Sequence, residues 1–186
     1  MLSALRIEAR ALRQPGMVPV RVGVGRRSAE KALARLKREP SRRTVVAGFG
    51  GALDDGLAPG DVVVANEVQG PDGRFSCAHE DVYAALSEAG LAPVLAAIAT
   101  RDHIVRGAER NEVAAEGARV VEMESYWLRP LAEAADFSVV RVVVDTPSRE
   151  LGHPLHTLTG GVRAHAALRR VGAGLSRMHA CRRQSG

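Results

Sequence analysis

Aromatic side chains are scarce in this sequence of 186 residues: three Phe, two Tyr and one Trp account for 3% of it. Proteins that bind single-stranded nucleic acid stack bases on aromatic residues, and their basic residues gather in one patch. Here the arginines, which carry nearly all of the positive charge behind the net charge of +5, are scattered along the chain. We therefore expect no nucleic-acid partner, whereas loose contact of the basic carboxyl end with anionic membrane lipids stays open.

Long apolar runs and regularly spaced cysteines are also missing. No apolar run is long enough to span a bilayer and no signal-like segment opens the chain, so we expect a cytoplasmic protein. The two cysteines, Cys77 and Cys181, have neither the spacing of metal ligands nor the density of a disulfide scaffold. The six histidines show no paired metal-ligand spacing either. The sequence therefore predicts no metal site.

Strand-like and helix-like segments alternate along the chain, and this alternation predicts an α/β fold. Residues 1–180 are expected to form one domain, followed by a frayed basic tail over 181–186. The β-branched run Val139–Val144 predicts a central strand, and Leu158–Met178 predicts a long closing helix. A further helix is predicted over Ser125–Ala135, strained at its proline.

Two glycine-rich segments follow predicted strands. The strand predicted over Thr44–Ala47 opens into a loop, Gly48–Gly51, which lacks the Lys-Ser/Thr pair of a P-loop. The turn Gly23–Gly25 lacks the third glycine of a dinucleotide fingerprint. We therefore expect neither a nucleoside triphosphatase nor a dinucleotide-dependent dehydrogenase. Glycines after a strand do allow backbone amides to approach a substrate closely.

Acidic residues stand at the carboxyl ends of two predicted strands. One strand runs into Glu122, Met123 and Glu124, and the other ends at Asp145. Ligands of open α/β sheets bind at this edge, and carboxylate oxygens accept hydrogen bonds from sugar hydroxyls. If the first strand continues, alternation allows only one glutamate to face the crevice, and the other is a surface acid or a charge at a helix start. Met123 is either core or the face against which a sugar or base lies.

Asp145 has two readings. It precedes Thr146 and Pro147, so it could cap a turn or helix. Alternatively, the apolar strand before it leaves the carboxyl group half desolvated, which would raise its pKa and suit it to donate a proton. We favour the second reading. Glu8, within ALRIEARAL, would by default be a solvated helix residue.

A series of motifs, taken in order, resembles the nucleoside phosphorylase superfamily over nearly the whole chain. The motifs are ALRIEARAL, VGVG, GFGGALDDGLAPGDVVVANEV, RDHIVRGAER, VVEMES and RVVVD. The sequence is most similar to the 5′-methylthioadenosine/S-adenosylhomocysteine nucleosidases and, within that branch, to bacterial hopanoid-associated phosphorylases, which act on adenosylhopane. The resemblance implies a three-layer α/β/α fold with a central mixed, twisted sheet. It also implies a homodimer that releases adenine from a purine nucleoside without a cofactor, with phosphate as a possible co-substrate.

The resemblance implies a role for each acidic residue. Asp145 matches the acid that protonates or hydrogen-bonds N7 of the purine. Glu124 matches the carboxylate that binds the ribose hydroxyls, with Met123 beside the sugar and Glu122 adjoining. Glu8 matches the glutamate that orients the attacking water. An oxocarbenium-like transition state is stabilised by nearby anions, and the leaving base needs a proton, so these residue types suit the reaction.

The remaining implied contacts are apolar or glycine. Val24 matches a position near the sugar, and the pair Ile104 and Val105 matches the segment beside the adenine. Phe49 and Gly50 match positions where the nucleosidases carry Ser and Ala, and Gly51 matches a retained glycine.

Two departures keep alternatives open. The absent serine at Phe49 would have been a ligand for phosphate or the attacking water, although Arg26, Arg27 or Arg101 could form another anion site. The chain starts at Met1, close to the first strand, so that strand is expected to be short. The resemblance implies a reaction on an adenosine with a bulky apolar 5′ group, such as adenosylhopane. Hydrolysis of methylthioadenosine or S-adenosylhomocysteine and a nucleoside-binding subunit without activity are the alternatives.

Overall fold

The computed structural model describes residues 1–36, 42–133, 136–149 and 154–184, without the side chains of 154–159 and 181–184. Its elements, in chain order, are β1 (Leu2–Ser3), α1 (Arg6–Leu12), β2 (Val20–Arg21), α2 (Arg26–Leu36), β3 (Arg43–Ala52), β4 (Val62–Gly70), β5 (Gly73–Ser76), α3 (Glu80–Glu88), β6 (Val94–Thr100), α4 (Glu109–Ala115), β7 (Val120–Glu122), a 3₁₀ helix (Ser125–Leu131), β8 (Asp136–Asp145) and α5 (Pro154–Gln184). The predicted closing helix lies within α5, which continues to Gln184, and residues 185–186 of the expected tail lie outside the described residues.

The eight strands form one mixed sheet in the order β2-β1-β3-β7-β6-β4-β5, and β8 pairs with both β3 and β4. The β3–β8 pairing is parallel, whereas the β3–β7 and β4–β8 pairings are antiparallel. Because β8 bridges β3 and β4, the pairings close a ring of five strands, β3-β7-β6-β4-β8. The α/β class with a central mixed sheet is thus confirmed, and Val139–Val144 belongs to a central strand as predicted.

Two apolar clusters cover the two faces of the sheet. In β3, Val46 belongs to one cluster, whereas Val45 and Ala47 belong to the other, as alternation along a strand requires. The first cluster includes residues of α2 and the 3₁₀ helix, and the second includes residues of α1, α3 and α5. The molecule therefore has the expected three layers. No helix in the described part of the chain has both the length and the apolar character needed to cross a membrane.

Two local features differ from the predictions. The helix expected over Ser125–Ala135 is a 3₁₀ helix that ends at Leu131, since Pro130 has no N–H to continue an α-helical ladder; residues 134–135 lie outside the described residues. Strand β5, which forms a hairpin with β4, was not predicted. The first strand is short, as expected, with only two residues.

The ends of β7 and β8 meet over β3. Gly51 of β3 is paired in register with Val121 of β7 and with Asp145 of β8. The acidic residues that follow or end these two strands are therefore delivered to opposite sides of one glycine-rich segment of β3. This arrangement positions the candidate site.

Candidate active site

One cleft of about 180 Å³ is lined by every residue that the sequence predicted for the site. The predicted residues are Glu8, Val24, Phe49, Gly50, Gly51, Ile104, Val105, Glu122, Met123, Glu124 and Asp145; the lining also includes Ala4, Leu5, His103, Arg110, Val121 and Val144. Residues from six separate segments of the chain therefore converge on one place.

The glycine-rich segment is part of a strand, not the predicted loop, because β3 continues through Ala52. A Cβ atom added at Gly48 would lie 2.6 Å from Oε1 of Glu8, and one added at Gly51 would lie 2.8 Å from Oδ1 of Asp145. Glycine in a strand often marks a place where another group approaches the backbone closely. The missing side chains thus make room for the acidic groups of the cleft.

Glu8 is buried, with 3% of its surface exposed, so the default reading as a solvated helix residue is wrong. Its Oε2 accepts hydrogen bonds from the backbone N–H groups of Ala4 and Leu5, at 2.9 and 2.7 Å. Its Oε1 accepts one from the backbone N–H of Phe49, at 2.8 Å. The carboxylate therefore satisfies N–H groups at the start of α1 and ties that helix to β3 while lining the cleft.

Glu122 is also buried, so neither glutamate of the pair is a surface acid. The strand ends at Glu122 and the chain bends, so alternation does not carry the next acid to the other face. Its carboxylate accepts hydrogen bonds from the hydroxyl groups of Thr100 and Ser125 and from Nη2 of Arg141. Burial favours a higher pKa for Glu122, but the Arg141 charge and these hydrogen bonds outweigh it, and the pKa lies below its ordinary value. Glu122 is thus held as a carboxylate.

Glu124 has fewer partners. It is buried and accepts a hydrogen bond from the backbone N–H of Gly25, at 2.9 Å, while Nη2 of Arg141 lies 3.8 Å from its Oε2. Burial, followed by the negative charge of Glu122, raises the pKa of Glu124 to about 7. The two glutamates of one motif therefore have pKa values displaced in opposite directions.

Asp145 is buried at the end of β8, and a buried arginine contacts it. Nη2 of Arg110 lies 2.5 Å from its Oδ2, and Nη1 of the same arginine donates to the backbone carbonyl of Ala52. Sequence reasoning missed both buried arginines of the site. Arg141 had a visible signal, because it interrupts the apolar run of β8, whereas Arg110 lies in the polar helix α4 and had none.

Apolar residues form the rim of the cleft. Leu5, Val24 and Ile104 are 40%, 45% and 62% exposed, whereas Val105 is buried. His103 also lines the cleft, and its ring nitrogens contact the side chains of Asp102 and Glu109. These two acids, Asp102 first, raise the pKa of the exposed His103.

The three arginines expected as an alternative anion site do not line the cleft. Arg26 and Arg101 form ion pairs with Glu30 and Glu116, and Arg27 is exposed. Within the described residues, no group of three or more His, Cys, Asp and Glu side chains is arranged to hold a metal ion.

No protein-family model and no curated protein matches the sequence. Solved structures do match. The 5′-methylthioadenosine/S-adenosylhomocysteine nucleosidase of Helicobacter pylori, in complex with butyl-thio-DADMe-Immucillin-A, has a TM-score of 0.77 at 15% identity, over 95% of this chain and 96% of that one. The nucleosidase of Neisseria meningitidis, in complex with methylthio-immucillin-A, has a TM-score of 0.76 at 20% identity, over 94% and 96%. Futalosine hydrolase of Helicobacter pylori has a TM-score of 0.74 at 15% identity, over 95% and 94%. The chain therefore has the fold of these nucleosidases.

Proposed function

We propose that this protein cleaves the N-ribosidic bond of a purine nucleoside and releases the base. The observation that carries the proposal is the convergence of Glu8, Glu124 and Asp145, from distant parts of the sequence, on a single cleft. Each of the three is buried, and a buried carboxylate needs a strong compensating reason to be there. The shared fold with nucleosidases supports the same conclusion.

The sugar occupies the side of Glu124 and Met123. Glu124 has one hydrogen bond from the Gly25 N–H, and its carboxylate can accept further hydrogen bonds from the ribose hydroxyls. Met123 lines the cleft beside it and offers an apolar surface to the sugar ring. As the bond breaks, the sugar gains positive charge, and the carboxylates on this side stabilise that charge.

The base occupies the side of Asp145, between Gly51 and the segment of Ile104 and Val105. A departing purine carries the electron pair of the broken C–N bond and leaves more easily when a ring nitrogen gains a proton. Asp145 supplies that proton or hydrogen bond in our proposal. Its burial keeps competing water away from the transfer.

Water is the nucleophile that the charges favour. Four carboxyl groups, Glu8, Glu122, Glu124 and Asp145, line the cleft, whereas Arg110 is the one arginine among the lining residues described. A phosphate dianion would be repelled by the excess of carboxylates, whereas a neutral water is not. Glu8 can orient this water because each carboxylate oxygen can accept more than one hydrogen bond. Hydrolysis is therefore preferred to phosphorolysis.

The rim supports a substrate with an apolar 5′ group. Leu5, Val24 and Ile104 present exposed apolar side chains, and Phe49 lines the same cleft. A 5′ alkyl or thioalkyl group would remove this surface from water, at about 25 cal/mol per Å² buried. Adenosylhopane remains our narrower prediction, with methylthioadenosine or S-adenosylhomocysteine as the alternatives. A homodimer, a cytoplasmic location and loose lipid contact also stay predictions from the sequence.

The test is base release from a panel of nucleosides. Adenosine, inosine, 5′-methylthioadenosine, S-adenosylhomocysteine and an adenosine with a long 5′-alkylthio chain would be incubated with the protein, with and without phosphate. We expect adenine and free sugar in both conditions, with kcat/KM rising with the apolar 5′ group. A requirement for phosphate, with formation of the sugar 1-phosphate, would overturn hydrolysis. Binding of nucleosides without release of any base would identify a binding subunit instead.

A further inference from the structure

Arg110 lines the cleft but has no role in the mechanism proposed so far. Its side chain is 2% exposed and that of Asp145 is 8% exposed, so the contact between them is almost completely removed from water. The 2.5 Å contact joins Nη2 of the arginine to Oδ2 of the aspartate. In such surroundings a hydrogen bond from a charged donor is stronger than at the surface.

The position of Arg110 is fixed from two further directions. Its Nη1 donates a hydrogen bond to the backbone carbonyl of Ala52, the last residue of β3. A Cβ atom at Gly51 would lie 3.3 Å from the same Nη1 and 2.8 Å from Oδ1 of Asp145, so the absence of a side chain there lets the pair lie against the strand. The guanidinium group thus contacts the last residue of β3 and also Asp145, the last residue of β8.

We propose that Arg110 is a positioning residue for Asp145 in the departure of the base, an inference that rests on the proposed function. The proton moves from the Asp145 carboxyl group to a ring nitrogen of the purine, and the electron pair of the C–N bond moves to the base. Asp145 becomes a carboxylate, whose new negative charge Arg110 stabilises at Oδ2. The sugar cation takes the oxygen of the attacking water, and the proton released from that water restores the Asp145 carboxyl group.

This role predicts that the need for Arg110 depends on the leaving group. A purine must be protonated to leave, whereas 4-nitrophenolate leaves as a stable anion. Removing Arg110 should therefore impair cleavage of a purine nucleoside more than cleavage of 4-nitrophenyl β-ribofuranoside. Damage to the fold would instead lower both activities together. The ratio of the two activities also does not depend on the fraction of the variant that is folded.

The experiment compares Arg110→Met, which removes the charge, with Arg110→Lys, which keeps it. Arg119→Met is the matched control, because Arg119 forms a half-exposed ion pair with Asp54 outside the cleft. For Arg110→Met we expect kcat on the best purine nucleoside of the panel to fall about 100-fold, with a loss of less than about tenfold on the nitrophenyl riboside. Arg110→Lys should recover part of the purine activity, and the control should keep the parent ratio.

Equal losses on the two substrates in Arg110→Met would overturn the positioning role and leave the proposed function intact. Failure of the parent protein to cleave any purine nucleoside or the nitrophenyl riboside would overturn the proposed function, and this inference with it.

Discussion

The acidic residues on the proposed sugar side and on the proposed base side of the cleft each contact a buried arginine, and the two contacts differ. On the sugar side, Nη2 of Arg141 contacts Glu122 and lies 3.8 Å from Glu124. On the base side, Arg110 contacts Asp145 at 2.5 Å. One cation is therefore shared between two acids on the first side, whereas the contact on the second side joins one cation to one acid.

The two glutamates near Arg141 differ in their pKa values. Glu122 takes the closer contact with Arg141, and its pKa is lowered, whereas burial and the charge of Glu122 raise the pKa of Glu124 to about 7. A carboxyl group that titrates near neutral pH can respond to a bound sugar or to its positive charge. On the base side, the contact between Arg110 and Asp145 is buried and short, at 2.5 Å. Single substitutions can remove the acidic group or the arginine on each side separately.

The largest expected effect is on the base side. Asp145→Asn should lower kcat by about 10²–10⁴-fold, because the amide cannot supply the proton that the leaving purine needs. Binding of the nucleoside should change much less, since the amide keeps the shape of the side chain. Steady-state kinetics and calorimetric titration of a nucleoside measure the two quantities.

Asp136→Asn is the matched control for this prediction. Asp136 begins the same strand that Asp145 ends, and its side chain is 53% exposed in an ion pair with Arg43. This variant should retain the kcat of the parent. Near-normal kcat in Asp145→Asn would exclude Asp145 as the proton donor.

The next largest effect is on the free energy of unfolding and concerns Arg141, on the sugar side. Arg141→Met should lower the free energy of unfolding by about 3–5 kcal/mol, because Glu122 would lose the cation that compensates its burial. Arg110→Met should also lower this free energy, because Asp145 would lose its buried contact with the guanidinium group. Arg119→Met, which breaks a half-exposed pair, should cost no more than about 1 kcal/mol. Urea denaturation gives all three values, and a cost for Arg141→Met no larger than that of the control would show that the buried pair adds nothing.

The sequence predicted the carboxylates of both sides but neither of the arginines that accompany them. Strand periodicity and the order of motifs located Glu124 and Asp145 at strand ends, and these motifs also indicated the α/β fold. The contact between Arg110 and Asp145 joins positions 35 residues apart through tertiary packing. A helix residue flanked by polar neighbours shows no sign of burial in the sequence. Such pairs become visible only once the elements are packed together.

The glycine segment shows a second limit of sequence reasoning. Glycines after an apolar run predicted a loop, because glycine usually weakens a strand. In the structure, β3 continues through Gly48 and Gly51, and acidic side chains occupy the space that side chains at these positions would fill. Glycine is therefore required at these positions because the acidic side chains of the site pack against them. This reason depends on Glu8 and Asp145, which are remote in the sequence.

The next prediction concerns a side chain added at Gly48. In Gly48→Ala the new Cβ would lie 2.6 Å from Oε1 of Glu8 and 3.1 Å from Nη1 of Arg141, so groups on the sugar side must move. We expect a loss of about 1–3 kcal/mol in the free energy of unfolding, typical of overpacking. Gly161→Ala in α5 is the control, because a Cβ there meets no atom within 4 Å. Equal stability of the two variants would show that the sugar side can rearrange without cost.

The smallest expected effect concerns the titration of Glu124. Because its pKa is about 7 in the folded protein and 4.5 is the ordinary value, the folded state binds more protons between these pH values. Stability contributed by the protonated group is therefore complete below pH 4.5 and is lost as the pH rises through 7. Glu124→Gln removes this loss, so it should be more stable than the parent at pH 8 and nearly equal to it at pH 4.5. Thermal unfolding at both pH values measures the difference.

The binding of ribosides should follow the opposite course over the same pH range. The carboxylate that destabilises the fold above pH 7 is the form that accepts hydrogen bonds from the ribose hydroxyls, so affinity should rise with pH in the parent and stay flat in Glu124→Gln. A 2′-deoxy analogue is the control ligand, because it lacks one of these hydroxyls and should gain less affinity. Equal affinity of the parent for the ribo and deoxy forms at pH 8 would separate Glu124 from the sugar. The raised pKa of Glu124 would then be a consequence of burial and of the charge of Glu122, with no part in sugar binding. The difference between Glu124 and Asp145 would no longer indicate two functional roles.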